Sequence, residues 1–364
     1  MYAREYLDLS NFKTYNVTDM KNMFYNCNKL KEIKGINNFN TSNVNNMESM
    51  FQLCKELEYL NLTNFDTSNV TDMRFIFSQC NKLKEIKGIN NIKTLNITNM
   101  NGMFQECNVI EYLDLSNFDT SNVKDMGWMF NKCNELKEIK GINNFNTYNV
   151  MNMRGMFNEC YELKYLDLTN FDTSNVTDMG FMFGHCHLKE IKGINNFNTS
   201  NVTNMESMFL YCICLEYIDL SNFNTYKVTD MSFMFSYCIQ LRQIKGINNF
   251  KFFKDTKKDG MFFGCPGLID LDLSYFGKSV NENINERPME IKFCSTDQQI
   301  KCTIYCNKTD NLSKIEKELY KKFPGLKSQN FCFIAYGNVL NRALTLEQNK
   351  IKSDTTILIS YILL

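Results

Sequence analysis

Ten cysteines recur at a near-constant interval along most of this 364-residue chain. They are Cys27, Cys54, Cys80, Cys107, Cys133, Cys160, Cys186, Cys212, Cys238 and Cys265, and successive gaps are 27, 26, 27, 26, 27, 26, 26, 26 and 27 residues. A fixed period of this length is the signature of a solenoid, in which each turn of chain packs only on its neighbours. The clock therefore excludes most globular folds before any other feature is considered.

Two unit types alternate. One reads Leu57-Glu-Tyr-Leu60-Asn-Leu62-Thr-Asn-Phe65-Asp-Thr-Ser-Asn-Val70-Thr-Asp-Met73 and runs on through Phe77 to Cys80. The other reads Leu30-Lys-Glu-Ile33-Lys-Gly35-Ile36-Asn-Asn-Phe39, with one extra residue near the glycine that accounts for the 27-residue gaps. The remaining 26-residue gap after Cys186 follows from one residue lost before Leu188. Leu57, Leu60 and Leu62 alternate with polar positions, which predicts a short strand. Met20, Met23, Phe24, Cys27 and Leu30 fall at i, i+3, i+4, i+7 and i+10, which predicts a short helix capped by Thr18 or Asp19. A strand and a helix in every repeat imply parallel strands with the helices outside. Eleven strands are expected, near Leu7, Ile33, Leu60, Ile86, Leu113, Ile139, Leu166, Ile191, Ile218, Ile244 and Leu271. At about 4.8 Å per strand they would make one sheet on the order of 50 Å long.

The Asn-Phe-Asp-Thr-Ser-Asn-Val-Thr-Asp-Met run, the Met-Phe-x-x-Cys segment and Leu-x-x-Leu-Asp-Leu-Ser resemble the BspA-like leucine-rich surface-protein repeat. The resemblance covers residues 7 to about 277. It implies a leucine-rich-repeat-like α/β solenoid over residues 1–277 that binds or adheres and does not catalyse; members of that class are often secreted.

Outward strand positions form two columns. One alternates acid or Asn with Lys: Asp8, Lys34, Asn61, Lys87, Asp114, Lys140 and onward. Its neighbour alternates Tyr with Glu, placing Tyr59, Tyr112, Tyr165 and Tyr217 every second repeat. Two readings stand: a self-neutralising ladder that keeps the stack in register, or a contact surface for a partner, since Tyr is enriched at interfaces. A surface tuned to one partner should vary from repeat to repeat, and this one is monotonous.

The ten repeat cysteines read as a structural column of small buried hydrophobes. There is no Cys-x-x-Cys pair, and His185-Cys186-His187 is the one His/Cys cluster, so no metal and no cofactor is expected. An unpaired thiol column points to a reducing compartment. The Asn-x-Ser/Thr triplets, such as Asn69-Val-Thr71, fall out of the repeat itself.

Composition closes other options. With 40 basic and 40 acidic residues the chain offers no net charge for phosphate-driven nucleic-acid binding. No run approaches the roughly 18 apolar residues of a membrane span. The start, Met1-Tyr-Ala-Arg-Glu-Tyr-Leu-Asp, has no apolar signal core, so a cytoplasmic protein is expected, or a cell-surface one if Met1 is not the true start. No Ser/His/Asp set, phosphate loop or HExxH motif occurs, and no enzymatic activity is expected.

The repeat stops after Phe276. Residues 278–288 are polar and read as a linker. Beyond them, runs at Glu290–Cys294 and Ile300–Cys306 predict a hairpin, and Leu312, Ile315, Leu319 and Phe323 a helix between Asp310 or Asn311 and Pro324-Gly325. Phe331–Tyr336 and Thr356–Ile362 predict two more strands. This ββαββ order fits an α+β β-grasp. Residues 289–364 resemble ubiquitin-like domains through Met289-Glu-Ile-Lys-Phe, the helix, Phe333-Ile334-Ala-Tyr-Gly337 and Leu344-Thr-Leu346-Glu-Gln-Asn-Lys-Ile351. The resemblance places Ile334 at the centre of the ubiquitin binding patch, with Ser360 at the partner valine position and Asn338 in place of a lysine. The chain ends Ile362-Leu363-Leu364 without a Gly-Gly tail, so conjugation is not expected. Together the two parts predict a protein–protein interaction scaffold: the solenoid binds a protein partner and the ubiquitin-like domain recruits a second one, ubiquitin-pathway proteins among the candidates. The alternative is a cell-surface adhesion protein.

Overall fold

Three residues per repeat are extended enough to pair as strands: β1 (Tyr6–Asp8), β2 (Glu32–Lys34), β3 (Tyr59–Asn61), β4 (Glu85–Lys87), β5 (Tyr112–Asp114), β6 (Glu138–Lys140), β7 (Tyr165–Asp167), β8 (Glu190–Lys192), β9 (Tyr217–Asp219) and β10 (Gln243–Lys245). The computed structural model describes residues 4–268, 271, 276, 289–297 and 300–361. The chain divides into two compact units, residues 1–282 and 283–364.

In the first unit the strands run parallel, as a solenoid requires, but they do not form one continuous sheet. They pair two by two, β1 with β2 through β9 with β10, with Tyr6 opposite Glu32 and Asp8 opposite Lys34 in the first pair and the same register in the others. The expected strand at Leu271 and the 278–288 linker lie largely outside the described residues. The break after each even strand begins at a glycine. Gly35, Gly88, Gly141, Gly193 and Gly246 have φ of 80–86°, and a Cβ there would sit 2.3–2.6 Å from the Cα of Ser10, Thr63, Ser116, Thr169 or Ser221 in the preceding repeat. Only glycine fits so close an approach at positive φ. The extra residue is taken up in a short 3₁₀ turn directly after it, Ile36–Asn38 in the first case.

The expected outer helices are not formed. The backbone N–H groups of Met20, Asn22, Phe24 and Asn26 donate to the carbonyls of Asn46, Glu48, Met50 and Gln52 in the next repeat at 2.8–3.0 Å. The residues between them close turns, Met23, Tyr25 and Cys27 donating to the carbonyls three positions back. This chain of turns repeats every 26 or 27 residues, with two positive-φ positions in each pass. It buries much the same residues as the predicted helical face, although Met23 of the first repeat is exposed. The reason is energetic: a helix of two or three turns has little stability of its own, whereas a stack of turns bonds every second N–H to the adjacent repeat. Asp19 accordingly closes an Asx turn onto the N–H of Lys21 instead of capping a helix.

The core is a set of columns. Ten phenylalanine rings, from Phe24 to Phe262, stack in one file with centroids 5.4–6.0 Å apart and planes within 20°. A buried threonine column, Thr14 to Thr225, donates each hydroxyl to a carbonyl of the following repeat at 2.7–3.1 Å. The asparagines of the Asn-Val-Thr triplets do the same in reverse, Asn69 to Ser42 and Asn175 to Tyr148. Those triplets are therefore structural rungs.

The second unit has β11 (Met289–Ser295), β12 (Lys301–Cys306), α1 (Leu312–Lys322), β13 (Phe331–Ala335), β14 (Asn338–Val339) and β15 (Thr356–Tyr361). They form one mixed sheet of order β12-β11-β15-β13-β14, with β11 and β15 parallel and the other pairs antiparallel. Asn311 caps α1, its side-chain oxygen accepting from the N–H of Lys314 at 2.9 Å. Ile315 and Leu319 of α1 pack with Ile291, Phe293, Phe333 and Ile357 of the sheet.

Candidate binding surfaces

The sheet face of the array carries the predicted tyrosines. Tyr59, Tyr112, Tyr165 and Tyr217 are 47–63% exposed, each opposite Glu85, Glu138, Glu190 or Gln243 on the paired strand. The flanking column is neutralised within each pair: Lys34 reaches Asp8 at 3.1 Å, Lys140 Asp114 at 2.9 Å, and Lys192 and Lys245 reach Asp167 and Asp219 at 2.8 Å. Asn61 replaces the acid opposite Lys87, so that pair has no ion bridge. Lys31, Lys84 and Lys137 pair with Glu5, Glu58 and Glu111 at 2.5–2.8 Å. These carboxylates are held low. Ser10 and Lys34 keep Asp8 near about 2, as Ser116 and Lys140 do Asp114; for Asp167 and Asp219 the lysine leads.

Because no backbone hydrogen bond joins β4 to β5, β6 to β7 or β8 to β9, a groove opens at each junction. Each is floored by an aliphatic pair, Ile86 with Leu113, Ile139 with Leu166 or Ile191 with Ile218, and walled by lysines on one side and Tyr112, Tyr165 or Tyr217 on the other. Sequence reasoning missed these grooves, although the extra residue beside each glycine was their signal.

The turn face is built differently. Its positive-φ column reads Asn22, Ser49, Phe75, Gly102, Trp128, Gly155, Phe181, Ser207, Phe233 and Gly260, all at φ of 55–60°. Bulky aromatics are outliers there, at a strain on the order of 1–3 kcal/mol each. The rings of Phe75, Trp128 and Phe233 lie over the glycine of the next repeat, where a Cβ would come within 2.1–2.5 Å of ring carbons. Arg154 lies against this ridge, its guanidinium carbon 5.9 Å from the Trp128 ring and 5.0 Å from that of Phe181. It also pairs with Glu206 at 3.1 Å and Asp178 at 3.6 Å. A second positive-φ column includes His185, Tyr211 and Tyr237, stacked at 4.8 and 4.3 Å, and closes at Gly264.

Against this geometry the chain was compared with known proteins. The family model described as "Mycoplasma protein of unknown function, DUF285" matches three overlapping stretches, residues 2–111, 79–189 and 161–276. The chain belongs to this family. The chain is also similar to a leucine-rich cell surface protein from Faecalibacterium prausnitzii of known crystal structure, at 14% identity over 70% of this chain and 86% of that one, with a TM-score of 0.25. No curated protein matches.

Within the DUF285 array, every thiol of the cysteine column from Cys54 to Cys265 donates to a phenylalanine carbonyl of the preceding repeat, at 2.8–3.2 Å. All are unpaired, and all but Cys27 are buried. Burial pushes Cys54 and Cys186 up to about 12 and Cys80, Cys107, Cys160, Cys238 and Cys265 well above the ordinary range. Burial thus disfavours the thiolate that metal ligation or nucleophilic attack would require. Thiols so buried are shielded from oxidants, so the column does not by itself bear on the redox compartment. No helix among the described residues is long and apolar enough to cross a membrane.

Outside the DUF285 match, Ile334 is half-buried on the outer face of the C-terminal sheet. The residue across from it on β15 is Leu358, not Ser360, which faces Cys332. Val339 registers with Ile334 from the other side. Leu358 and Val339 are 41% and 68% exposed, so Ile334 is flanked on both sides by exposed apolar residues.

Proposed function

We propose that this DUF285 protein is a non-enzymatic binding solenoid that engages its ligand on the sheet face, through Tyr59, Tyr112, Tyr165 and Tyr217 and the grooves beside them. The observation that carries the reading is the exposure of these rings beside a column in which Asp114, Asp167 and Asp219 are each paired with a lysine. Such a surface offers contact area and hydrogen-bonding groups, the combination found at protein interfaces. A photo-reactive amino acid at Tyr165 in the native cell tests it. Crosslinks to a recurring class of ligand, itself repetitive as this face is, are expected; the reading fails if a probe at Asp66, a half-exposed position off the strands, gives the same products.

The C-terminal unit is proposed to be a β-grasp of the ubiquitin-like kind that recruits a second protein through Ile334, Leu358 and Val339. Its sheet order, with a parallel central pair and one helix packed across it, supports the assignment. Leu358→Lys in the full chain should abolish co-recovery of a ubiquitin-pathway protein, and recovery that does not depend on Leu358 would remove this role. A cell-surface adhesion role is the second reading, and the burial of the repeat thiols is compatible with it as well as with a cytoplasmic scaffold. Protease shaving of intact cells separates the two: loss of the array from intact cells places it outside, and survival places it inside.

A further inference from the structure

The two faces of the array differ in a way that bears on partners. Sheet positions alternate between two fixed sets of residues, whereas turn-face positions change from repeat to repeat. A surface that singles out one protein partner needs such variation, and the turn face concentrates the residue types that dominate interface energetics: the chain's one Trp, an Arg and several Tyr and Phe. Six large aromatics, Phe75, Trp128, Phe181, Tyr211, Phe233 and Tyr237, are held there at positive φ, a strain that points to a use beyond packing.

The charge of this face selects the partner's chemistry. The bridging Asp/Asn column, the column two residues after it and the second positive-φ column carry nine carboxylates between residues 19 and 237: five Asp, together with Glu48, Glu106, Glu159 and Glu206. Against these stand four cations, Lys21, Arg74, Lys132 and Arg154; beyond residue 237 the same columns add Lys257, 3.6 Å from Asp230, and Asp259, so the excess of carboxylates persists. The array also shows on itself how the ridge receives a cation. Arg154 lies against Trp128 and Phe181 with Asp178 and Glu206 at its guanidinium. The next interval along the ridge, between Phe181 and Phe233, has the same aromatic borders, with Phe233 45% exposed. At the position equivalent to Arg154 it carries Glu206 in place of a cation.

We infer that the turn face around Phe181, Glu206 and Phe233 is a docking surface for a basic protein segment, whose arginine or lysine side chains take the place that Arg154 takes one interval earlier. The surface is separate from the tyrosine face and rests only on the reading of the array as a binding protein. Cation–π contact and carboxylate pairing would act together, favouring arginine, whose planar group can stack and form two hydrogen bonds at once.

Trp128, as the single tryptophan, reports on this ridge directly. Titrating an arginine-rich nonapeptide into the full-length protein should give a saturable change in its fluorescence. Glu206→Lys and Phe233→Ala should each weaken the half-saturation point by about tenfold or more. Glu58→Lys, an equal charge reversal on the sheet side, and Tyr165→Ala should leave it unchanged. The proposal is overturned if Glu58→Lys weakens binding as much as Glu206→Lys, which would mean attraction to net charge alone, or if a serine-rich nonapeptide gives the same response. Glu206 is at the surface, so its variant keeps the test decisive even if Phe233→Ala disturbs folding, which a thermal melt would reveal. Loss of the response in Tyr165→Ala alone would also overturn the proposal, while leaving the sheet-face reading intact.

Discussion

The array and the C-terminal unit solve the same burial problem in opposite ways. In the array each interior side chain packs on copies of itself: Phe130 lies between Phe104 and Phe157, and the Thr120 hydroxyl, like its equivalents, bonds to the following repeat. In the C-terminal unit every core position is unique, Phe293 meeting Phe333 edge-on and Phe333 meeting Phe331. The first arrangement makes stability a sum of nearest-neighbour interfaces; the second makes it one cooperative core. A residue's worth in the array therefore depends on its column, whereas in the C-terminal unit it depends on its individual surroundings.

The largest expected effect tests that contrast directly. Phe130→Ala removes a fully buried ring with a stacked neighbour on each side, and should destabilise the array by about 3–5 kcal/mol. Phe104→Ala and Phe157→Ala should match it closely in denaturant unfolding followed by Trp128 fluorescence. Phe333→Ala should leave that transition in place while abolishing the C-terminal one, and a shared shift would break the comparison.

Glycine sharpens it further. Gly141→Ala drives a Cβ to 2.3 Å from the Ser116 backbone at φ of 86°, and should destabilise by more than about 2 kcal/mol. Gly337→Ala, at φ of 77° with open space around it, should lose only about 1 kcal/mol. Equal losses would mean that backbone strain, not close approach between repeats, sets the glycine requirement. Thr120→Val leaves a carbonyl of the next repeat without its donor and should lower the unfolding free energy by about 1–2 kcal/mol.

Thiol reactivity gives a smaller but cleaner contrast. At pH 8 the buried repeat cysteines, Cys54 to Cys265, should stay silent toward an aromatic disulfide reagent until the array unfolds, while Cys294 and Cys332, half-buried in the C-terminal unit, should react in the native protein. The smallest effect is electrostatic. Asp8, Asp114, Asp167 and Asp219 have folded pKa values near about 2, below the unfolded value, so their contribution is complete above roughly pH 4 and is lost as pH falls toward 2. An array melting temperature that fell on raising the pH from 2 to 4 would contradict that sign.

Much of the fold was legible because a solenoid writes its geometry into its spacing. The cysteine interval located every repeat, and the alternation around Leu60 located every described strand. The helix prediction failed because i, i+3, i+4, i+7 burial does not distinguish a helix from a stack of turns; the distinction lies in whether an N–H bonds within its own segment or to the next one. The continuous sheet failed for a related reason. The inserted residue was visible beside Gly35, but its consequence, a 3₁₀ turn that interrupts pairing, depends on how closely the glycine approaches Ser10. Among candidate site residues the tyrosines were legible from alternation. The aromatic ridge was not, because Phe75, Trp128 and Phe181 sit at a position held in other repeats by Asn, Ser or Gly, and only their shared φ unites them.

Sequence alone determined that the chain must stack, which side chains share a column, and that a second unit of two strands, a helix and further strands follows, though not the short β14, because periodicity and hydrophobic pattern are local properties of the chain. Tertiary structure decided where hydrogen bonds cross between repeats, where the sheet opens, and that Leu358 rather than Ser360 stands beside Ile334. Those outcomes turn on distances of a few ångströms between residues tens of positions apart, which no local pattern encodes.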